Sequence, residues 1–313
     1  MADPRGCLKN SLIGCGALIG LVVLFVVVMA GLAFFSRDEG GQVERDAVAA
    51  AAAAAAGTTI TVDDPVVLTR THPGRVILDL AQGEFILEPA APGEGLSARA
   101  SFDSEVHSLT QSFEIQPDSS WTSRITFRRT MPALQALFRQ LMGGDTNASI
   151  TIGLPADVPV ELVVRLEQGG GEAEIGGLWL TTADFDFRQG GFELSVDAPL
   201  REPLERLRLH GRMGGVSVSR LGNASPRVLD VDCGMGGADI GLKGQWRNDC
   251  DARFRVRMGG MAIGLPADLE VEAVGDLPDD LTLPVLRRSD GEVPLPVLRV
   301  RIDQKMGEIE FRR

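Results

Sequence analysis

Alternating apolar and polar residues recur along the second half of the chain, and a pair of glycines interrupts each alternating run. In one unit, residues 206–210 alternate leucine with arginine or histidine, Gly214-Gly215 follows, and residues 216–219 alternate valine with serine. Such alternation is typical of half-buried β-strands, and glycine readily takes the conformations that a bend needs. The pattern predicts a mostly β domain built of strand, glycine bend and strand. Units of this kind occupy residues 184–196, 206–219, 229–242 and 253–265, and residues 298–311 repeat the alternation around the single Gly307.

The glycine pairs are almost evenly spaced along the chain. A period of about 22 residues favours a solenoid-like or stacked-sheet domain, because similar units of constant length stack in register. The alternative is an antiparallel meander, in which each Gly-Gly forms a hairpin turn. Successive second glycines lie 20, 24, 22 and 23 residues apart, at Gly171, Gly191, Gly215, Gly237 and Gly260.

A stack with one unit per strand would also order the charges on its outer face. Residues at matching offsets before the glycines alternate in sign, so we expect opposite charges to meet on neighbouring strands. A further repeat, Ile-Gly-Leu-Pro-Ala-Asp, occurs at 152–157 and 263–268 and predicts the same structural corner used twice. The two sets of matching positions are Asp184, Arg208, Asp230, Arg253 and Asp186, His210, Asp232, Arg255.

The N-terminal part carries a long apolar segment. Residues 11–35 contain no charge, and 25 residues at 1.5 Å each can span a bilayer core of about 30 Å. Arg5 and Lys9 precede the segment, so the positive-inside rule places the tail 1–10 in the cytoplasm and the remainder outside the inner membrane. We expect a single-pass transmembrane helix at 11–35, an alanine-rich linker at 36–57 and an exported domain at 58–313.

Two other segments break the strand pattern. Residues 131–142 place leucines and a phenylalanine on one helical face, which predicts a helix that covers the sheet. Residues 276–296 contain four prolines and predict a loop.

Composition excludes several function classes. A net charge of −12 argues against nucleic-acid binding, which needs a basic face. Three histidines make a multi-histidine metal site implausible, and no nucleotide-binding or Ser-His-Asp motif occurs. We therefore assign no catalytic, cofactor-binding or metal-binding residue. The rival hypothesis is a carbohydrate-active β-helix enzyme that uses paired strand-face acids, namely Asp184, Asp186, Asp230 and Asp232.

Two cysteines lie in the exported part, where disulfides can persist. Cys233 and Cys250 fall at different offsets from their glycine pairs, which favours a buried free thiol at Cys233. A disulfide between them stays open as the alternative.

Three segments carry a family resemblance. Residues 155–164 read Pro-Ala-Asp-Val-Pro-Val-Glu-Leu-Val-Val, and residues 233–242 and 255–265 repeat strand, glycine pair and strand. In these features the chain resembles the adhesin-like, toast-rack group of bacterial envelope proteins, whose function is unknown. It is also similar to the C-terminal domain of cell-wall-active-antibiotic response proteins. The resemblance extends over residues 74–311, although the proline-rich stretch departs from it, and it implies a β-solenoid-like envelope domain without catalytic residues.

The strand pattern, the expected membrane anchor and the family resemblance together lead to one expectation about function. We expect a non-catalytic, membrane-anchored envelope protein that works as a scaffold, an adhesion module or an envelope-stress interaction module. Its partners would be the lipid bilayer, through residues 11–35, and an envelope protein or cell-wall component. The rival enzyme would instead place its acids in a concave groove that also contains arginine.

Overall fold

The computed structural model describes residues 68–131, 148–266, 269–275 and 295–312. The expected tail, transmembrane helix and linker lie outside these ranges, as do nearly all of the helix expected at 131–142 and most of the proline-rich loop. The described residues belong to one compact unit, Ala56–Arg313. Within the described ranges, every helix is too short to cross a bilayer.

The described part is mostly β, as predicted. After one helical turn at Leu68–Thr71, all long elements are strands, and a short 3₁₀ turn at Leu221–Asn223 lies between two of them. The strands are β1 (Gly74–Pro89), β2 (Ser97–Ser101), β3 (His107–Ile115), β4 (Trp121–Arg129), β5 (Ser149–Leu154), β6 (Val160–Glu174), β7 (Leu180–Ser195), β8 (Arg206–Ser219), β9 (Val228–Gly241), β10 (Cys250–Gly264), β11 (Glu270–Ala273) and β12 (Val297–Arg312).

Seven long strands form a parallel stack in the order β1, β6, β7, β8, β9, β10, β12. Each strand runs through its glycine pair without reversing, so the meander alternative is wrong and each unit forms one rung. The predicted charge register is confirmed, because Arg208 pairs with Asp230 and Asp230 pairs with Arg253. One column of equivalent positions contains Gly83, Gly169, Gly190, Gly214, Gly236, Gly259 and Gly307.

The first glycine of each pair is required by the bend. Gly190, Gly214 and Gly236 have φ of 132°, 135° and 135°, a region that residues with a side chain rarely adopt. A Cβ at these positions would also lie 1.7–1.8 Å from the carbonyl oxygen of the first glycine one rung earlier. Neighbouring rungs therefore approach so closely at the bend that only glycine fits.

The core lies between the bent sheet and the connections that return from one rung to the next. Six apolar residues of the alternating runs are at most 3% exposed: Leu209, Val218, Val231, Ile240, Val256 and Ile263. Apolar residues of the return connections join the same cluster, among them Leu200, Leu204, Leu221, Leu242 and Trp246. Each unit thus buries its apolar face only by stacking on its neighbours.

Asn223 ties three return connections together. Its side-chain amide donates a hydrogen bond of 2.7 Å to the Val196 carbonyl, and its side-chain oxygen accepts one of 3.0 Å from the Gln245 amide. Asn223 is 7% exposed, so both bonds replace water that the buried backbone groups have lost. The return connections are therefore bonded to one another as well as packed.

The two ends of the stack differ. Beyond β1, the strands β4 and β3 continue the first half of the rung, and β5 and β2 continue the second half. Ile152 on β5 and Ile263 on β10 share one column, so the repeated hexapeptide does begin at the same corner twice. At the other end β11 pairs only with Val297–Val300 of β12. Among the described residues, no strand covers the outer edge of the rest of β12.

Candidate binding groove

The four acids of the enzyme hypothesis lie on the first half of the rungs, and three of them form ion pairs. Arg208 lies 3.2 Å from Asp184 and 3.9 Å from Asp230. Asp232 is almost buried and contacts Arg255 at 2.6 Å and Arg257 at 3.2 Å. These three carboxylates therefore belong to charge columns that stabilise the register between strands.

Asp186 has a different environment. It lines a cavity of about 540 Å³ together with arginines. Its Oδ1 atom is buried without a hydrogen-bond partner among the described residues, as are the Oδ1 atoms of Asp230 and Asp232, so the cavity is what sets Asp186 apart. The structure thus places one of the four acids, and not the set, in a concavity with arginine. The arginines of this cavity are Arg128, Arg129, Arg165 and Arg188.

A larger groove follows the second glycines of the pairs, which we call the glycine floor: Gly170, Gly191, Gly215, Gly237 and Gly260. None of these five residues has a positive φ. A Cβ added at any of them would meet no atom closer than 4.0 Å. The fold therefore does not require glycine here, in contrast to the first glycine of each pair. Because glycine has no side chain, the backbone is accessible along this concave surface, and another chain can approach it closely.

An acidic column runs beside the glycine floor, two residues further along each strand. In register it contains Glu172, Glu193, Ser217, Asp239, Ala262 and Glu310. Glu84 and Glu308 continue the glycine floor at its two ends. These acids and the floor line one groove of about 850 Å³, which we call the acidic groove.

The charge of the acidic groove is almost uncompensated. Arg312 is the one basic residue among its described lining residues, and it contacts Glu310 at 2.8 Å. No described lysine or arginine lies within ion-pair distance of Glu172 or Glu193. The six rung spacings of about 4.8 Å from β1 to β12 give the groove a length of about 29 Å. An elongated, cationic ligand matches this shape and charge.

The two cysteines are free and buried. Burial raises the pKa of Cys233 to about 11 and that of Cys250 to about 12, so both thiols stay protonated near neutral pH. The buried free thiol favoured for Cys233 is thus observed, and the disulfide alternative is wrong. Within the described ranges, no three His, Cys, Asp or Glu side chains are grouped as metal ligands would be.

The sequence pattern predicted the charge columns but missed the acidic groove. The sequence comparison used the positions that precede the glycines in each unit, and the ion-paired acids lie there. The acidic column lies after the glycines. In addition, Gly170 on β6 pairs with Gly191 on β7, and Gly171 pairs with Phe192. Gly171 is therefore not the second glycine of its unit. Gly171 instead makes room for the Phe85 ring, which a Cβ would meet at 1.9 Å.

Comparison with known proteins gives little further constraint. No family model matches the chain. No curated protein matches it. A solved structure from Clostridium sporogenes, described as a "putative cell adhesion protein", aligns with 76% of this chain and 92% of its own at 12% identity and a TM-score of 0.36. A likeness of that extent assigns neither a family nor a function to this chain.

Proposed function

We propose that the chain is a membrane-anchored envelope protein whose β-solenoid domain binds an extended, positively charged segment of an envelope partner in the acidic groove. It would act as a non-catalytic scaffold or adhesion module, anchored through residues 11–35. The observation that carries this proposal is the glycine floor, because five glycines that the fold does not need lie in register beside a column of acids. Glycine at such positions allows a ligand to approach the backbone.

The experiment measures binding of a fluorescently labelled decalysine peptide to the full chain in detergent micelles. Glu172→Gln with Glu193→Gln should weaken binding about tenfold, because each carboxylate contributes up to about 1 kcal/mol. The matched control is Asp184→Asn with Asp230→Asn, which changes the net charge equally but lies outside the groove. Equal losses in both pairs would mean that binding depends only on net charge.

A second variant tests the floor without changing any charge. Gly215→Val with Gly237→Val adds side chains into open space, and β-branched residues suit strands. We expect the variant to fold and to lose peptide binding, because the peptide can no longer approach the backbone. Unchanged affinity in a folded variant would contradict the proposed binding mode.

A second candidate function rests on Asp186 alone. Its unpartnered Oδ1 atom and the surrounding arginines fit a site that holds an acidic sugar. Release of reducing ends from bacterial cell-wall polysaccharide, abolished by Asp186→Asn and kept by Asp184→Asn, would support the enzyme. No release by the unsubstituted chain would rule it out for that substrate.

A further inference from the structure

Four exposed methionines lie in register on four consecutive strands. Met213 on β8 pairs with Met235 on β9, Met235 pairs with Met258 on β10, and Met258 pairs with Met306 on β12. We call this column the methionine ladder. Its side chains are 43%, 46%, 45% and 74% exposed, respectively. A single exposed apolar residue needs no explanation, but four in one column do.

The bend does not require methionine at these positions. The same column continues into Gln189 on β7, Gln168 on β6 and Gln82 on β1, so a polar side chain of similar length is accepted there. The core does not require it either, since the four side chains are exposed. The ladder also lies outside the residues that line the acidic groove. Thioether sulfur is what distinguishes the four methionine rungs from the three glutamine rungs.

Stacked thioethers are ligands for soft monovalent metal ions. Thioether sulfur selects Cu(I) over hard cations. In-register residues on neighbouring strands are about 4.8 Å apart. Two sulfurs bound to one ion lie at most about 4.6 Å apart if the metal–sulfur bond is about 2.3 Å, the value for zinc and thiolate. Because methionine has three rotatable side-chain bonds, neighbouring sulfurs can reach this separation.

We propose that the methionine ladder binds Cu(I) or Ag(I) between neighbouring thioethers. Arg212, Arg257 and Lys305 each precede a ladder methionine and disfavour cations, so the affinity must come from the sulfur atoms and not from net charge. This site is separate from the acidic groove, and it holds whether or not the groove binds a cationic segment.

The test titrates Ag(I) into the full chain in detergent micelles, with methionine methyl groups labelled with ¹³C and observed by NMR. We expect the four ladder methyl signals to shift once the cysteine thiols are saturated with Ag(I), whereas the buried Met261 signal stays in place. Assignment uses the single Met→Leu variants, which keep side-chain volume and apolar character. Shifts confined to other methionines, or no shifts, would overturn the proposal.

A competition experiment measures affinity with Cu(I) held by bicinchoninate under ascorbate. The variant with Leu at positions 213, 235, 258 and 306 should retain less Cu(I) than the unsubstituted chain, and the difference is the Cu(I) held by the ladder. Met261→Leu is the control and should retain the same amount as the unsubstituted chain. All variants keep every cysteine, so binding by thiols cancels in the comparison. Equal Cu(I) retention by the fourfold variant would overturn the proposal.

If the fourfold Leu variant does not fold, the Met→Gln series replaces it. Glutamine already occupies the same column on three rungs. Cu(I) retention equal to that of the unsubstituted chain in a folded Gln variant overturns the ladder site, and a loss equal to that of the Leu variant supports it.

Discussion

Adjacent glycines in one bend have opposite structural requirements, which a single substitution can reveal. Gly214 has a φ of 135° and no room for a Cβ, whereas Gly215 has neither restriction. We expect Gly214→Ala to lower the free energy of unfolding by at least about 2 kcal/mol, because strain and a clash with Gly190 combine. Gly215→Ala should change it by less than about 1 kcal/mol. Urea denaturation monitored by tryptophan fluorescence measures the free energy of unfolding of both variants. Equal losses in the two would contradict the distinction.

Asn223 should contribute to stability through the backbone groups that it satisfies. Asn223→Ala leaves the buried Val196 carbonyl and the partly buried Gln245 amide without their side-chain partner. We expect a loss of about 1–3 kcal/mol in the free energy of unfolding. Gln245→Ala is the control, because the exposed Gln245 uses only its backbone amide and should lose almost nothing. A loss in the control as large as that of Asn223→Ala would contradict the role of the side chain.

The sequence alone could not separate these glycines. The two members of a Gly-Gly pair cannot be distinguished in a sequence pattern. The first must be glycine because a Cβ would clash with a carbonyl oxygen on another rung, which the sequence does not show. The role of Asn223 was equally hidden, because its partners lie 27 and 22 residues away in the chain. By contrast, the buried face of each strand could be predicted, since alternation within one strand decides which side chains point inward.

At the scale of the strand, the charge columns should help to fix the register. Asp230→Arg would place four arginines next to one another in one column, because Arg208 lies on one side and Arg253 and Arg301 on the other. Asp239→Arg is the matched control on the same strand, because its neighbours in register are Ser217 and Ala262. We expect Asp230→Arg to destabilise the protein by about 1 kcal/mol more than the control.

Salt provides the second readout of the charge columns. The difference between the two reversals should shrink at 1 M salt, because screening acts on exposed charges. Thermal unfolding at low and high salt measures both quantities. An equal loss for both reversals at low salt would mean that the columns do not contribute to register.

The columns were predicted as rows of nearest neighbours, and the side chains depart from this in one place. Arg253 is in register with Asp230, yet its guanidinium bonds to Asp303 on the next strand but not to Asp230. The hydrogen bond from Arg253 lowers the pKa of Asp303 below its ordinary value of 3.8. A long side chain can reach carboxylates on either neighbouring strand, and the spacing of residues in a sequence does not show which one it binds.

At the scale of the whole molecule, the expected topology can be tested directly. Residues 11–35 predict that everything beyond about residue 57 lies outside the inner membrane. Protease added to intact spheroplasts should therefore digest the β domain and leave the N-terminal tail. An epitope tag at each end makes both fragments visible. Protection of the β domain in intact spheroplasts, with digestion only after lysis, would contradict the orientation.

The part of the β12 edge that no described strand covers bears on how several copies of this protein behave together. A parallel, in-register stack presents at its last rung the same row of backbone groups by which its own strands pair, which is the geometry of filament growth. Glu308 and Glu310 lie on that row, and the bond from Arg312 lowers the pKa of Glu310, which keeps it ionised. An acidic strand added to this edge would face like charges, which disfavour pairing. Glu308 and Glu310 thus lie where charged residues on an open strand edge oppose the addition of another strand.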